Sequence, residues 1–289
     1  SVSKEMLQGV DAVVYLAAIS NDPMGASFEA ITLDVNHRAA VAIAQLAREA
    51  GAGSFVFASS CSVYGFAEGG AKTEESAVNP LTAYAKSKVG AEQDLAALAR
   101  SNFAVTCLRF ATACGMSERL RLDLVLNDFV ASAITAKKIM ILSDGTPWRP
   151  LIHIKDMARA IDWGVQRKSS GGGEFLAVNA GSDGWNYQVR DLAAAVSKAI
   201  PNVEISINPN AQPDKRSYRV SFEKFRNLAP QYQPEIDLHA AIDDLRQGLQ
   251  AMGFADQEFR NSHLIRLNVL KDLKARGCLG EDLRWVPAK

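Results

Sequence analysis

Two short segments carry the side chains best suited to chemistry: Ser59-Ser60-Cys61-Ser62-Val63-Tyr64-Gly65 and Tyr84-Ala85-Lys86-Ser87-Lys88. Together they offer a hydroxyl, a phenol and an ammonium. Such a set can take a proton from an alcohol while a hydride leaves the carbon behind it. A phenol is a poor base near neutrality, because its free pKa is about 10. A lysine four residues later on a helix lies on the same face, one turn on. Its positive charge favours the phenolate and brings the phenol toward a usable range. Ser60 follows the apolar run Phe55-Val56-Phe57-Ala58, which reads as a buried parallel strand. The carboxyl ends of such strands are where α/β folds place ligands. A Tyr-x-x-x-Lys alone is weak, since two common residues at helical spacing often make only a solvated face. Its position after a serine at a strand end makes Ser60, Tyr84 and Lys88 candidate catalytic residues.

The elements that must position them alternate along the first half. Val13-Val14-Tyr15-Leu16 reads as a buried strand, and residues 35 to 50 as a helix with Ala39, Ile43, Leu46 and Ala50 at helical spacing. Gly51 and Gly53 end it. The strand at 55 to 58 follows, then a helix from Tyr84 to about Arg100 and a strand from Ala104 to Phe110. This alternation predicts an α/β fold, a doubly wound parallel sheet with helices on both faces. Beyond Gly115 the pattern predicts a helix at 121 to 136, a short apolar run at 139 to 142, and a strand at 151 to 154. Asp156 is expected to cap a helix at 157 to 167. A strand at 175 to 178 and a helix at 189 to 200 come next. Leu264, Leu267, Leu270 and Leu273 form an apolar stripe expected to pack on the body or on a partner subunit.

Composition narrows the function classes. The 289 residues are 48% hydrophobic and 22% charged, with 32 basic and 32 acidic side chains. That balance gives no nucleic-acid footprint and no attraction to an anionic membrane surface. No apolar stretch in the sequence is long enough to span a bilayer. Cys61, Cys107, Cys114 and Cys278 form no C-x-x-C pair and no His/Cys cluster, so no metal site is expected. Cys61 reads as a small filler beside the site, and a reducing cytoplasm is the simplest compartment.

These residues resemble the extended short-chain dehydrogenase/reductase family, in particular its NAD-dependent nucleotide-sugar epimerases, dehydratases and reductases. The resemblance runs in order along almost the whole chain. It implies a Rossmann-like sheet and a smaller C-terminal α+β substrate-binding domain. The expected division is 1–116, with return elements at about 150–181, for the dinucleotide, and 117–149 with 182–289 for the substrate. It implies NAD as cofactor, with NADP open, contacted by Leu16, Ala17, Ala18, Asn36, Ser59, Tyr84, Lys88 and Phe110. Ser60, Asn127, Arg149 and Arg216 are the implied contacts to a nucleotide-sugar substrate. Arginine suits a diphosphate because its fork makes bidentate contacts that lysine does not reproduce. Arg219 is a weaker candidate, and His153 is given no chemistry. The resemblance also implies a homodimer formed through the helices at about 37–50 and 84–100.

Three departures shape the expectation. Dehydratases of the family carry Asp-Glu directly after the active hydroxyl residue, where this chain has Cys61-Ser62. That favours an epimerase working through a 4-keto intermediate over a 4,6-dehydratase, with a ketoreductase as the alternative. Thr112 stands where some epimerases have an Asn that touches the substrate. The family's opening Gly-x-x-Gly-x-x-Gly turn, which holds the cofactor pyrophosphate, has no counterpart in these 289 residues. Either an N-terminal piece of about 50 to 60 residues lies outside this sequence, which is the expectation here, or the protein is a non-catalytic cofactor sensor or scaffold.

Overall fold

The computed structural model describes residues 2–66, 69–208, 211 and 217–287. The chain divides into two compact units. The first comprises residues 1–113, 148–187 and 214–236; the second comprises 114–147, 188–213 and 237–289. Residues 182–187 and 217–236, placed with the substrate domain from sequence, thus cluster with the first unit.

The first unit is built on four parallel strands. They are β1 (Ala12–Tyr15), β2 (Ser54–Ser60), β3 (Ala104–Phe110) and β4 (Phe175–Ala180), adjacent in that order. Helices α1 (Ala39–Glu49) and α2 (Ala83–Ala96) connect the first three strands, and α3 (Ile154–Gln166) precedes β4. β1 pairs with β2 alone among the described residues.

Strand alternation explains why these runs look uniformly apolar. Phe55 and Phe57 pack on one face with Tyr15, Val105, Cys107 and the alanines Ala40, Ala44 and Ala47 of α1. Val56 and Leu108 face the other way, with Val178 and with Ala160 and Trp163 of α3. A strand covered on both faces has no polar alternate positions to spare. The small alanines let α1 lie close to the phenylalanine rings. On the opposite face, Gly164 of α3 leaves no slack, since a Cβ there would sit 3.2 Å from both Val56 methyls.

Local chemistry moved some boundaries. The helix expected at 35 to 50 begins with a π-helical turn, Asp34–Arg38, before α1. His153, not Asp156, caps α3, its Nδ1 accepting the Lys155 N–H at 3.2 Å. Asp156 is instead buried, and its carboxylate accepts the backbone N–H groups of Glu235 (3.0 Å) and Ile236 (3.2 Å). A separate three-stranded sheet is ordered Thr112–Cys114, Trp148–His153, Asn186–Gln188.

The second unit holds the helices Val125–Thr135, Val189–Ala199, Leu238–Ala251 and Arg266–Ala275, and a parallel pair, Lys138–Ile141 with Glu204–Ile207. Of the leucine stripe, Leu267, Leu270 and Leu273 lie on the last helix and Leu264 precedes it, all four half-buried. Among the described residues, no helix is long and apolar enough to cross a membrane.

Gly65 closes the turn after β2 with φ 61° and ψ −128°, a conformation open essentially to glycine alone. A Cβ at this position would lie 2.0 Å from the Asn79 carbonyl oxygen. Gly65→Ala is expected to destabilise the protein by about 3 kcal/mol, measured by denaturant unfolding; a loss within experimental error would contradict this account of the turn.

Candidate active site

The start of α2 is fixed from two directions. Thr82 caps it, its Oγ1 accepting the Ala85 N–H at 3.1 Å while donating to Asp22 Oδ1 at 2.7 Å. The short helix Asp22–Ser27 presses on the first turn through Gly25, where a Cβ would lie 3.1 Å from the Tyr84 nitrogen. Tyr84 is therefore held at the very beginning of the helix, half-buried.

One turn on, Lys88 is 2% exposed. Its Nζ donates to the Ala58 carbonyl at 2.6 Å and stands 4.6 Å from the Phe57 ring centroid and 5.6 Å from that of Tyr84. Burial brings its ammonium down to about 8, opposed by the Glu92 carboxylate nearby. The lysine thus links the helix to the strand that ends in Ser60 and sits beside the candidate phenol.

Ser60 is the last residue of β2, level with Phe110 at the end of β3. Its Oγ accepts the Ser62 N–H at 3.2 Å, starting the turn Cys61–Tyr64. The Ser62 hydroxyl oxygen is buried with no hydrogen-bond partner among the described residues. Burial pushes the Cys61 thiol up, away from the nucleophilic thiolate, in line with its reading as filler.

Ser59, expected at the cofactor, donates its hydroxyl to Glu92 Oε1 at 2.5 Å. Glu92 also receives Arg109, from Nε at 3.0 Å and from Nη2 at 2.7 Å. Arg109 Nη1 donates to the Tyr64 hydroxyl at 3.1 Å, and that hydroxyl donates to Asn179 Oδ1 at 2.7 Å. Burial disfavours the Arg109 charge, yet its bonds to Glu92 outweigh that and hold it above its usual range. Sequence reasoning missed this buried set. Its signals were a charged residue inside the apolar strand Leu108-Arg109-Phe110 and a glutamate continuing the Tyr84, Lys88 spacing.

Asn36 lies in the π-helical turn and is fully buried. Its Oδ1 accepts the Ile19 N–H at 2.8 Å, and its Nδ2 donates to the Ile19 carbonyl at 3.0 Å and to Ser87 Oγ at 3.1 Å. Its amide therefore clamps the loop after β1 to α2. That loop carries Leu16, 59% exposed, with Ala17 exposed and Ala18 half-buried. They form an apolar ledge at the carboxyl end of β1.

The implied substrate contacts are distributed. Arg149 is half-buried on Trp148–His153, its Nη1 donating to the Trp148 carbonyl at 2.9 Å. Arg219 stacks over the Trp148 ring at 5.2 Å. Arg216 lies outside the described residues. Asn127 belongs to the second unit, where its Oδ1 accepts the Gly115 N–H at 3.1 Å and its Nδ2 donates to the Arg121 carbonyl at 2.9 Å. The first unit thus brings together Ser60, Tyr84, Lys88, Asn36 and Phe110 around the end of β2 and the start of α2.

Comparison with known proteins gives this arrangement its setting. An uncharacterized UDP-glucose epimerase of Bacillus subtilis, YtcB, is 30% identical over 160 residues, 54% of this chain and 49% of that protein. The chain therefore spans about half the length of that curated relative. MoeE5 in complex with UDP-glucose and NAD shares the fold with a TM-score of 0.75 at 21% identity, over 86% of this chain and 82% of that one. The UDP-Glc/GlcNAc 4-epimerase from Campylobacter jejuni does so with a TM-score of 0.72 at 20% identity, over 86% and 80%. The model of the NAD dependent epimerase/dehydratase family matches residues 1–181. With more than half of its length matched, and with the parallel sheet and the Tyr84–Lys88 helix in place, the chain belongs to the NAD dependent epimerase/dehydratase family.

Proposed function

We propose that the protein is an NAD-dependent nucleotide-sugar epimerase that inverts a hexose at C4 through a 4-keto intermediate. The observation that carries this reading is the Lys88 ammonium, buried between the Ala58 carbonyl and the Tyr84 ring, at the strand end that bears Ser60. The apolar ledge of Leu16, Ala17 and Ala18, with Lys88 and Phe110 nearby in the fold, suits the nicotinamide end of NAD at the carboxyl edge of a parallel sheet. NAD, when bound, would supply the hydride acceptor and donor that this chemistry at C4 needs.

The protein's own residues move the proton. Tyr84 Oη takes it from the sugar 4-hydroxyl oxygen as that carbon is oxidised, and gives it back on reduction. Lys88 stabilises the phenolate by its charge. Ser60 Oγ donates a hydrogen bond to the same sugar oxygen while it is a carbonyl or alkoxide. Arg149 and Arg216 hold the diphosphate. Cys61 and Ser62, in place of an acid–base pair, support epimerisation over loss of water. The name of YtcB as a UDP-glucose epimerase, and the neighbour bound to UDP-glucose, support a UDP-hexose as the first substrate to try.

The test is interconversion of UDP-glucose and UDP-galactose with NAD present and without net NADH formation. Tyr84→Phe is expected to lower kcat by about 10²- to 10⁴-fold while leaving nucleotide-sugar binding in place. Wild-type turnover in that variant would overturn the assignment.

The buried ammonium has a second consequence. Lys88 titrates at about 8 in the fold against 10.5 when free. Between those values the unfolded chain keeps a proton that the folded chain has released, so stability rises with pH across that window. The cost of burying the charge is present in full below pH 8. The melting temperature of Lys88→Met relative to wild type is therefore expected to fall as pH rises from 7 to 10, by the equivalent of about 3 kcal/mol. Parallel pH profiles for the two proteins would contradict the buried ammonium.

A further inference from the structure

Glu92 takes no part in the proton chemistry, yet it is a carboxylate only 6% exposed. It continues the series Tyr84, Lys88, Glu92 along successive turns of α2. From there it receives the hydroxyl of Ser59, the residue before Ser60, and the guanidinium of Arg109. Arg109 extends the grip to the other end of the same segment. Its Nη1 bonds the Tyr64 hydroxyl, and its carbonyl accepts from Cys61 Sγ at 3.1 Å. The stretch 59–64 that presents Ser60 is thus fastened at both ends to one carboxylate and its partner. A core ion pair is a poor device for stability alone, because well-packed apolar residues often do as well or better. Apolar residues would supply neither the bond to Ser59 nor a negative charge one turn from Lys88.

We propose that Glu92 is a positioning residue that registers the Ser60 strand end against the helix bearing Tyr84 and Lys88, and keeps the Lys88 ammonium charged. The proposal rests on the catalytic assignment of those three residues. Around Lys88, its own helix contributes Tyr84 and Glu92, and β3 contributes Cys107 and Arg109; β2 contributes the Phe57 ring and the Ala58 carbonyl. Burial pushes the Cys107 thiol well above its usual range, leaving it neutral. On the preceding segment, Asp22 is bound to Thr82 and His37 to Asp94. In the turn after β2, the Tyr64 hydroxyl is bound to Arg109 and Asn179. Glu92 is therefore the carboxylate that favours the ammonium.

The direct test is NMR titration of the protein with ¹³Cε-labelled lysine, the Lys88 signal being identified by its loss in Lys88→Arg. In Glu92→Gln the Lys88 midpoint is expected to fall by about one pH unit; an unchanged midpoint in the folded variant overturns the proposal. Should Glu92→Gln fail to fold, Ser59 decides the matter. Ser59→Ala leaves the Arg109–Glu92 pair whole and is expected to lower kcat about tenfold with KM unchanged. Ser59→Thr, which keeps the hydroxyl, is expected to restore it. Wild-type kcat in Ser59→Ala overturns the positioning role. Wild-type turnover in Tyr84→Phe would instead sink the catalytic assignment, and the Lys88 midpoint would then test Glu92 by itself.

Discussion

The arrangement depends on one buried ion pair, Glu92 with Arg109, side chains 7% and 9% exposed and 2.7 Å apart. It joins α2 to β3 and, through Ser59, to β2. Removing one partner of such a pair typically costs about 3–5 kcal/mol, because the other charge is left buried and alone. The pair therefore makes a sliding of the helix along the sheet expensive. In the proposed mechanism, a helix locked in register lets a tyrosine in its first turn and a serine at a strand end act on one atom. Catalysis by positioning loses much of its effect when the groups drift by an ångström.

The Lys88 ammonium is the second constraint, and it works against the fold. A charge inside an apolar layer is disfavoured, and Phe57 and the Ala58 carbonyl compensate only in part. Such a group persists where function needs it. The same burial that lowers its proton affinity strengthens its field at Tyr84, because there is little water to screen it. Asn36 completes the frame by tying the loop after β1 to Ser87, one residue before Lys88. Strand ends, loop and helix are thus fastened to each other through side chains that do no chemistry themselves.

Much of this was legible in the sequence. The apolar runs of β2 and β3 and the Tyr84–Lys88 spacing are local patterns, set by periods of two and 3.6 residues. What was not legible depends on register between distant segments. A glutamate four residues after a lysine reads as a surface pair, and only the alignment of β2 with β3, which sets Ser59 level with Arg109, turns it into a core group. Asp156 looked like a cap because it stands near a helix start, but tertiary contacts gave the cap to His153 and sent the carboxylate to residues 235 and 236. Asn127 likewise spends its amide on the loop at Gly115 and Arg121, a use no spacing rule announces.

Under the proposed mechanism, hydrogen leaves and returns to a single carbon while the sugar oxygen stays in place. UDP-glucose carrying deuterium at C4 tests it most directly, with the products examined by NMR and mass spectrometry. The predicted product is UDP-galactose that retains the deuterium at C4 with inverted configuration. Epimerised product in which the deuterium has exchanged with water would contradict it.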